Sequence, residues 1–148
     1  MNANKHELRP ARATDLPAVV ALLEGCGLPT GDVTQAMLAS FCVAEVDGRA
    51  VGTAGVETFG TDALLRSLAV AEASRGAGLA ARLVDWCEAE ARRQGVATVY
   101  LLTTTAADYF RKRGYADVPR DAVPAGVAGH AQFRSLCPAS AKCLGKRL

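Results

Sequence analysis

Leu64-Leu65-Arg66-Ser67-Leu68-Ala69-Val70, then Ala71-Glu72-Ala73-Ser74, then Arg75-Gly76-Ala77-Gly78-Leu79-Ala80-Ala81-Arg82-Leu83, is the most informative segment of the chain. Ala63 to Val70 is apolar except at Arg66 and Ser67 and reads as a buried strand. Ala71 to Ser74 is a short loop. From Gly78 a helical pattern runs to about Gln94, with Ala80, Leu83, Val84, Cys87 and Ala91 on one face and Arg82, Asp85, Glu88, Arg92 and Arg93 opposite. Glycines where a strand turns into a helix let the backbone come close to a ligand. The first helical turn adds unpaired N–H groups and the positive end of the helix dipole. Together they suit a pyrophosphate, and Arg75 adds a charge at the mouth. The stretch is not a P-loop, because no Gly-Lys-Ser/Thr follows. It is not a dinucleotide fingerprint, because the third glycine is missing.

Upstream, His6 to Arg9 reads as an edge strand. Thr14 is the expected N-cap of a helix carrying Leu16, Val19, Val20, Leu22 and Leu23, stopped by Gly25 and Gly27. Asp32 to Leu38 reads as a short second helix. Phe41 to Val46 and Ala50 to Glu57 are strands joined by Asp47-Gly48, a two-residue hairpin signal. Phe59 to Asp62 turns the chain into the Leu64 strand. Downstream, Gly95 ends the long helix and Val96 to Leu102 is a strand. Thr105 to Arg113 is a helix ended by Gly114, and Tyr115 to Val118 is a short strand. Asp121 to Ala131 is interrupted by Pro124, Gly126 and Gly129, and Phe133 to Leu144 is the place for a last strand. An antiparallel meander feeding a strand–helix–strand crossover is a mixed α/β architecture.

The size and composition bound the rest. At 148 residues the chain reads as one domain. Half of the residues are hydrophobic, too many for a disordered chain. A net charge of +2 with scattered Lys and Arg argues against a nucleic-acid binder. No apolar run reaches the ~18 residues of a membrane span. Met1 to Arg9 lacks a signal core, so a cytoplasmic location is expected. Five cysteines, an odd number, fit reduced thiols rather than a disulfide framework. Cys137, Cys143 and His130 match no zinc spacing, so no metal is expected. Neither histidine has a context that recommends it as the partner of a nucleophilic cysteine.

Arg75-x-x-Gly78-x-Ala80 resembles the R/Q-x-x-G-x-G/A motif of the GNAT superfamily of acyl-CoA-dependent N-acetyltransferases. Leu64 to Val70 looks like that family's fourth strand. Tyr109-Phe110-Arg111-Lys112-Arg113-Gly114-Tyr115 resembles its second signature, an aromatic helix closed by Gly-Phe or Gly-Tyr. The likeness covers residues 5 to 118, with 119 to 148 as a C-terminal strand and tail. It implies a single-domain GNAT fold, with a mixed antiparallel and parallel sheet splayed between strands 4 and 5. More narrowly, Leu65 to Val70, Leu101 to Thr105 and Ser135 to Ser140 resemble a bacterial group labelled arsenic-resistance N-acetyltransferases, which would make detoxification the role.

The resemblance assigns the cosubstrate and most of the site. Acetyl-CoA would lie between the splayed strands, its pantetheine on the backbone of Leu68, Ala69 and Val70. Its pyrophosphate would sit on the N–H groups of Arg75, Gly76, Ala77, Gly78, Leu79 and Ala80. Glu57, at the end of the third strand, is the candidate general base, with Glu45 and Asp62 as weaker alternatives. Many relatives carry a tyrosine four residues before the glycine that ends the aromatic helix. Here that position is Phe110, and Tyr109 lies about 100° around the helix. The leaving thiolate would then be protonated by Tyr109, by water, by Ser67 or by Thr104, or would depart unassisted. Arg66 is read either as the anchor of an acceptor carboxylate or as a surface arginine, with Arg120 and Arg134 as lesser candidates for the same part. The reading is direct attack by a small, amino-acid-like amine in a ternary complex, in a chain that could also pair as a homodimer. The rival functions are an acyl-CoA sensor without turnover, which Phe110 favours, and a protein N-acetyltransferase.

Overall fold

The computed structural model describes residues 6–130, 133 and 140–148. Among these the chain forms one mixed sheet in the order β1-β2-β3-β4-β5-β7-β6. β1 (Glu7–Pro10), β2 (Phe41–Val46), β3 (Arg49–Phe59) and β4 (Asp62–Val70) make the antiparallel meander. Asp47 and Gly48 both take positive φ, the backbone that a two-residue hairpin turn demands. β5 (Thr98–Thr103) pairs in parallel with β4, and β7 (Lys142–Arg147) pairs with both β5 and the short β6 (Ala116–Asp117).

The helices cover the two faces. α2 (Leu79–Arg93) lays Leu79, Leu83, Val84, Cys87 and Ala91 on Ala44, Ala54, Val56 and Val70. α1 (Leu16–Gly25) packs Val19 and Leu23 on Phe41, Val43 and Ala69 from the other side. Successive strand residues thus feed opposite cores, as a pleat with period two requires. The short α4 (Ala125–Ala128) joins the α1 face over Leu64 and Cys143, and α3 (Ala107–Lys112) follows β5.

Four local expectations are corrected. Asp32 lies in a turn, and only Ala36–Ser40 is helical, as a 3-10 segment. The Asp32 carboxylate reaches away to Arg66, so the residue does not open a helix. Thr14 is not the N-cap. It sits inside a 3-10 turn, Ala13–Asp15, where the Asp15 carboxylate accepts the Arg12 N–H at 2.6 Å and α1 follows. Glu88 is not on the solvent face of α2. It is 4% exposed and takes Lys146 Nζ at 3.0 Å and the Tyr115 hydroxyl at 2.9 Å, tying α2 to β7. The last strand starts at Lys142, later than Phe133. The stretch 134–139, with Arg134 and Cys137, lies outside the described residues.

Candidate active site

β4 and β5 run together for only three residue pairs, Asp62 with Thr98, Ala63 with Val99 and Leu64 with Tyr100. β4 carries one extra residue against β3, since Gly55 faces Arg66 and Thr53 faces Ala69. This is a bulge, and Ser67 within it has φ +59, uncommon for a residue with a Cβ. The bulge bends β4 away from β5, and among the described residues the β5-facing edge of Leu65 to Val70 has no strand partner. A cleft of about 610 Å³ opens there. It runs from Arg75 and Ala80 past Leu68, Ala69 and Val70 to Arg66 and Ser67, with Thr103, Thr104 and Phe110 on the opposite wall.

A second hollow of about 320 Å³ adjoins it, lined by Ser74, Arg75, Gly76, Gly78, Leu79, Ala80, Ala81 and Tyr109. Gly78 is the N-cap of α2 with φ +77, and Gly76 has φ +86. Among the described residues no side chain caps the helix, so its first N–H groups point into the hollow. A Cβ on either glycine would meet nothing within 4 Å, so the glycines are there for the backbone twist and the open approach. Arg75 does not project freely. Its Nε donates to the Val70 carbonyl at 3.0 Å, and its guanidinium touches Cys26 Sγ at 3.4 Å. It thereby ties the helix start to the end of β4.

At the inner end of the cleft Arg66 is fully buried at its side chain, not a surface arginine. Its guanidinium is held by both carboxylate oxygens of Asp32, with Nη2 to Oδ1 at 2.7 Å. Nη1 also donates to Glu57 Oε2 at 3.0 Å, and Nε to Ser67 Oγ at 3.0 Å. Four of its five N–H donors are thus engaged. Gly55 makes this possible. A Cβ there would lie 2.4 Å from the Phe41 ring, on which the Arg66 guanidinium rests at 6.0 Å. His130 comes from just beyond α4 and places Nε2 2.7 Å from Glu57 Oε2 and 3.7 Å from Asp32.

Burial would raise the carboxyl of Glu57, but the bonds from His130 and Arg66 outweigh it and hold it below the ordinary range. Asp32 is likewise lifted by burial and pulled lower by Arg66. Both are therefore ionised at neutral pH. Asp32, Glu57 and His130 could surround a metal ion geometrically. The Arg66 guanidinium already stands in the middle of them as the cation.

The structure brings together Glu57 and Arg66, two of the residues singled out in the sequence, and adds Asp32 and His130, which were not assigned to the site. Tyr109 is apart from them. Its ring lines the hollow at the start of α2, whereas Phe110 faces the cleft. The Tyr109 hydroxyl is buried without a partner among the described residues, and burial raises its pKa. Glu45 pairs with Arg9 on the outer strands, and Asp62 sits at the far end of β4. Arg120 lies near Phe133, over its ring at 5.8 Å. No helix among the described residues is long and apolar enough to cross a membrane.

Comparison with known proteins fits this geometry. Amino-acid acetyltransferase of Ralstonia nicotianae is 30% identical over 125 residues, covering 79% of this chain and 28% of that protein. An uncharacterised N-acetyltransferase of Chlorobaculum tepidum is 28% identical, covering 79% of each. In fold, the chain superposes on N-acetylglutamate synthase from Neisseria gonorrhoeae complexed with coenzyme A and N-acetyl-glutamate. That match has a TM-score of 0.84 and 24% identity, and covers 97% of this chain and 35% of that one. The chain thus spans about a third or less of the length of these two named synthase and acetyltransferase relatives. A family model described as acetyltransferase (GNAT) domain matches residues 38–117, from the meander through the bulged strand and the glycine turn to β6. That is more than half of the sequence, and the chain belongs to the GNAT acetyltransferase family.

Proposed function

We propose that the chain moves an acetyl group from acetyl-CoA to the α-amine of a small amino-acid-like acceptor, by direct attack in a ternary complex. The observation that carries this is the cleft opened by the β4 bulge, which joins an uncapped helix N-terminus at one end to the Arg66–Glu57 group at the other. In the proposal the pyrophosphate lies on the N–H groups from Arg75 to Ala80. The pantetheine adds to the free edge at Leu68, Ala69 and Val70, as a peptide adds to a sheet edge. The thioester then reaches Ser67, where backbone N–H groups of the bulge can stabilise the tetrahedral oxyanion.

The amine must be neutral to attack. Glu57 is the group we assign to accept its proton, directly or through water. An acceptor carboxylate would take the place of Asp32 on Arg66, because a bidentate contact needs two free N–H groups. Relatives named amino-acid acetyltransferase support this acceptor class. The narrower role, detoxification of an amino-acid-like toxin in the cytoplasm, rests on the likeness to the arsenic-resistance group. Tyr109 remains the acid to test for the leaving thiolate. If Tyr109→Phe lowers kcat at unchanged KM for acetyl-CoA, it is the acid, and a change in that KM alone makes it a cofactor contact.

The test is a steady-state assay of CoA release with acetyl-CoA and matched pairs of amino acids and their decarboxylated amines. The reading expects at least one amino acid to exceed its amine by about 10-fold or more in kcat/KM, one well-placed ionic contact. Equal rates for each pair would remove Arg66 as the carboxylate anchor. Tight acetyl-CoA binding without turnover on any amine would favour the sensor, the reading that Phe110 at the cleft wall supports.

A further inference from the structure

Glu57 has two carboxylate oxygens in unequal surroundings. Oε2 receives both the Arg66 Nη1 donor at 3.0 Å and His130 Nε2 at 2.7 Å. Oε1 has no protein partner among the described residues, and the side chain keeps 20% of its exposure. Two donors on one oxygen fix the carboxylate plane and leave the other oxygen open.

The His130 contact is a real hydrogen bond only if one proton lies between the two atoms. Glu57 is ionised, so the proton is on Nε2, and His130 donates. The ring is placed to do so from several sides. Its backbone N–H closes the α4 turn on the Val127 carbonyl at 3.0 Å. Its edge stands on the Phe59 ring at 6.1 Å and 83°. Phe59 and Glu57 are both on β3, so one strand holds the imidazole and receives its bond. Arg66 alone would not fix Glu57, because the same Nη1 is also drawn to Asp32.

We propose that His130 is a positioning residue for the acetyl transfer: by holding Oε2 of Glu57 it presents Oε1 as the atom that takes the proton of the acceptor amine. This rests on the acetyltransferase reading of the same cleft. The step balances without a further reactant. The amine nitrogen bonds to the thioester carbon and gives its proton to Oε1, directly or through water, and the C–S bond breaks with its electron pair going to CoA.

Three variants and one double variant test it, using the acceptor that wild type turns over fastest in the amino-acid panel. His130→Ala should lower kcat on the order of 10-fold to 100-fold, at or below the lower part of the range for losing a general base. KM for acetyl-CoA should stay within about two-fold, since His130 is remote from the helix N-terminus. His130→Gln keeps an N–H donor at similar reach and should recover kcat to within about 5-fold of wild type. Glu57→Gln combined with His130→Ala should be no slower than Glu57→Gln alone, because the second change then has nothing to position. A His130→Ala rate equal to wild type, a Gln variant as slow as the Ala variant, or multiplicative losses in the double variant would each overturn the proposal. If wild type itself turns over no amine, the acetyltransferase reading fails first and takes this one with it. Far-ultraviolet circular dichroism and acetyl-CoA binding identify a variant that merely fails to fold, and in that case His130→Gln against Glu57→Gln decides.

Discussion

Arg66 is the residue on which the inner end of the cleft depends. A buried guanidinium between two carboxylates is stable only as a set, because each partner compensates the desolvation of the others. Arg66→Leu would leave Asp32 and Glu57 facing each other without a cation. Loss of one member of such a group should cost about 3 kcal/mol, read as a lower denaturant midpoint at unchanged m. A loss below about 1 kcal/mol would mean that the carboxylates turn into water and that the group is not held as described. Arg66 was conspicuous in the sequence as the charge in an apolar strand, and Glu57 by its place at the end of a strand. Asp32 and His130 were not legible. They lie 34 and 64 residues from Arg66 and meet it only because the connection after α1 and the turn after α4 fold onto the same face of the sheet. Glu88 was misread for a related reason, since its partners Tyr115 and Lys146 come from two later elements.

The element to which we assign cofactor recognition is the turn from β4 into α2. Its two glycines and the helix start that follows them were visible in the sequence because each is a local feature with a local cause, whereas the bulge at Ser67 was not, since it exists only in the register of β4 against β3. The Asp47-Gly48 hairpin was legible for the same reason. The Asp32 to Leu38 helix was not a safe reading, because a long-range ion pair overrode local propensity. Gly78→Asp should place a carboxylate in the hollow at the helix N-terminus, against φ +77 and against a bound pyrophosphate. Strain from the non-glycine conformation should cost about 1–2 kcal/mol, leaving the fold intact. Acetyl-CoA affinity should fall at least about 100-fold by calorimetric titration, since two like charges would share a site built for an anion. Retained affinity would mean that the pyrophosphate does not bind at this turn.

Over the whole molecule, the ion pairs predict how stability responds to acid. Asp15, bonded bidentately by Arg9, titrates at about 2 instead of 3.8, and Asp32 and Glu57 are also lowered. A lowered carboxyl contributes stability above its unfolded value and loses it as pH falls through its folded value. The denaturant midpoint should therefore change little from these groups between about pH 7 and pH 5 and drop from about pH 4 downward. A midpoint that holds to about pH 2.5 would contradict the pairing. The thiols report on the cleft in the same global way. Burial raises Cys42 to about 12 and Cys143 to about 11, and raises Cys87 as well, so these should resist iodoacetamide at neutral pH. Cys26 lines the cleft and is only half-buried. Peptide mapping should find it alkylated in the free protein and protected by saturating CoA. Equal labelling with and without CoA would place the ligand elsewhere.

We place acyl-CoA in the gap between β4 and β5, and a crystal structure of the chain with CoA checks that placement. Density is expected for the pantetheine along Leu68, Ala69 and Val70, for the pyrophosphate on the N–H groups from Arg75 to Ala80, and for the thiol ending beside Ser67 within reach of the Arg66–Glu57 group. CoA bound on another surface, or β5 closed against β4 with the gap empty at saturating CoA, would contradict it.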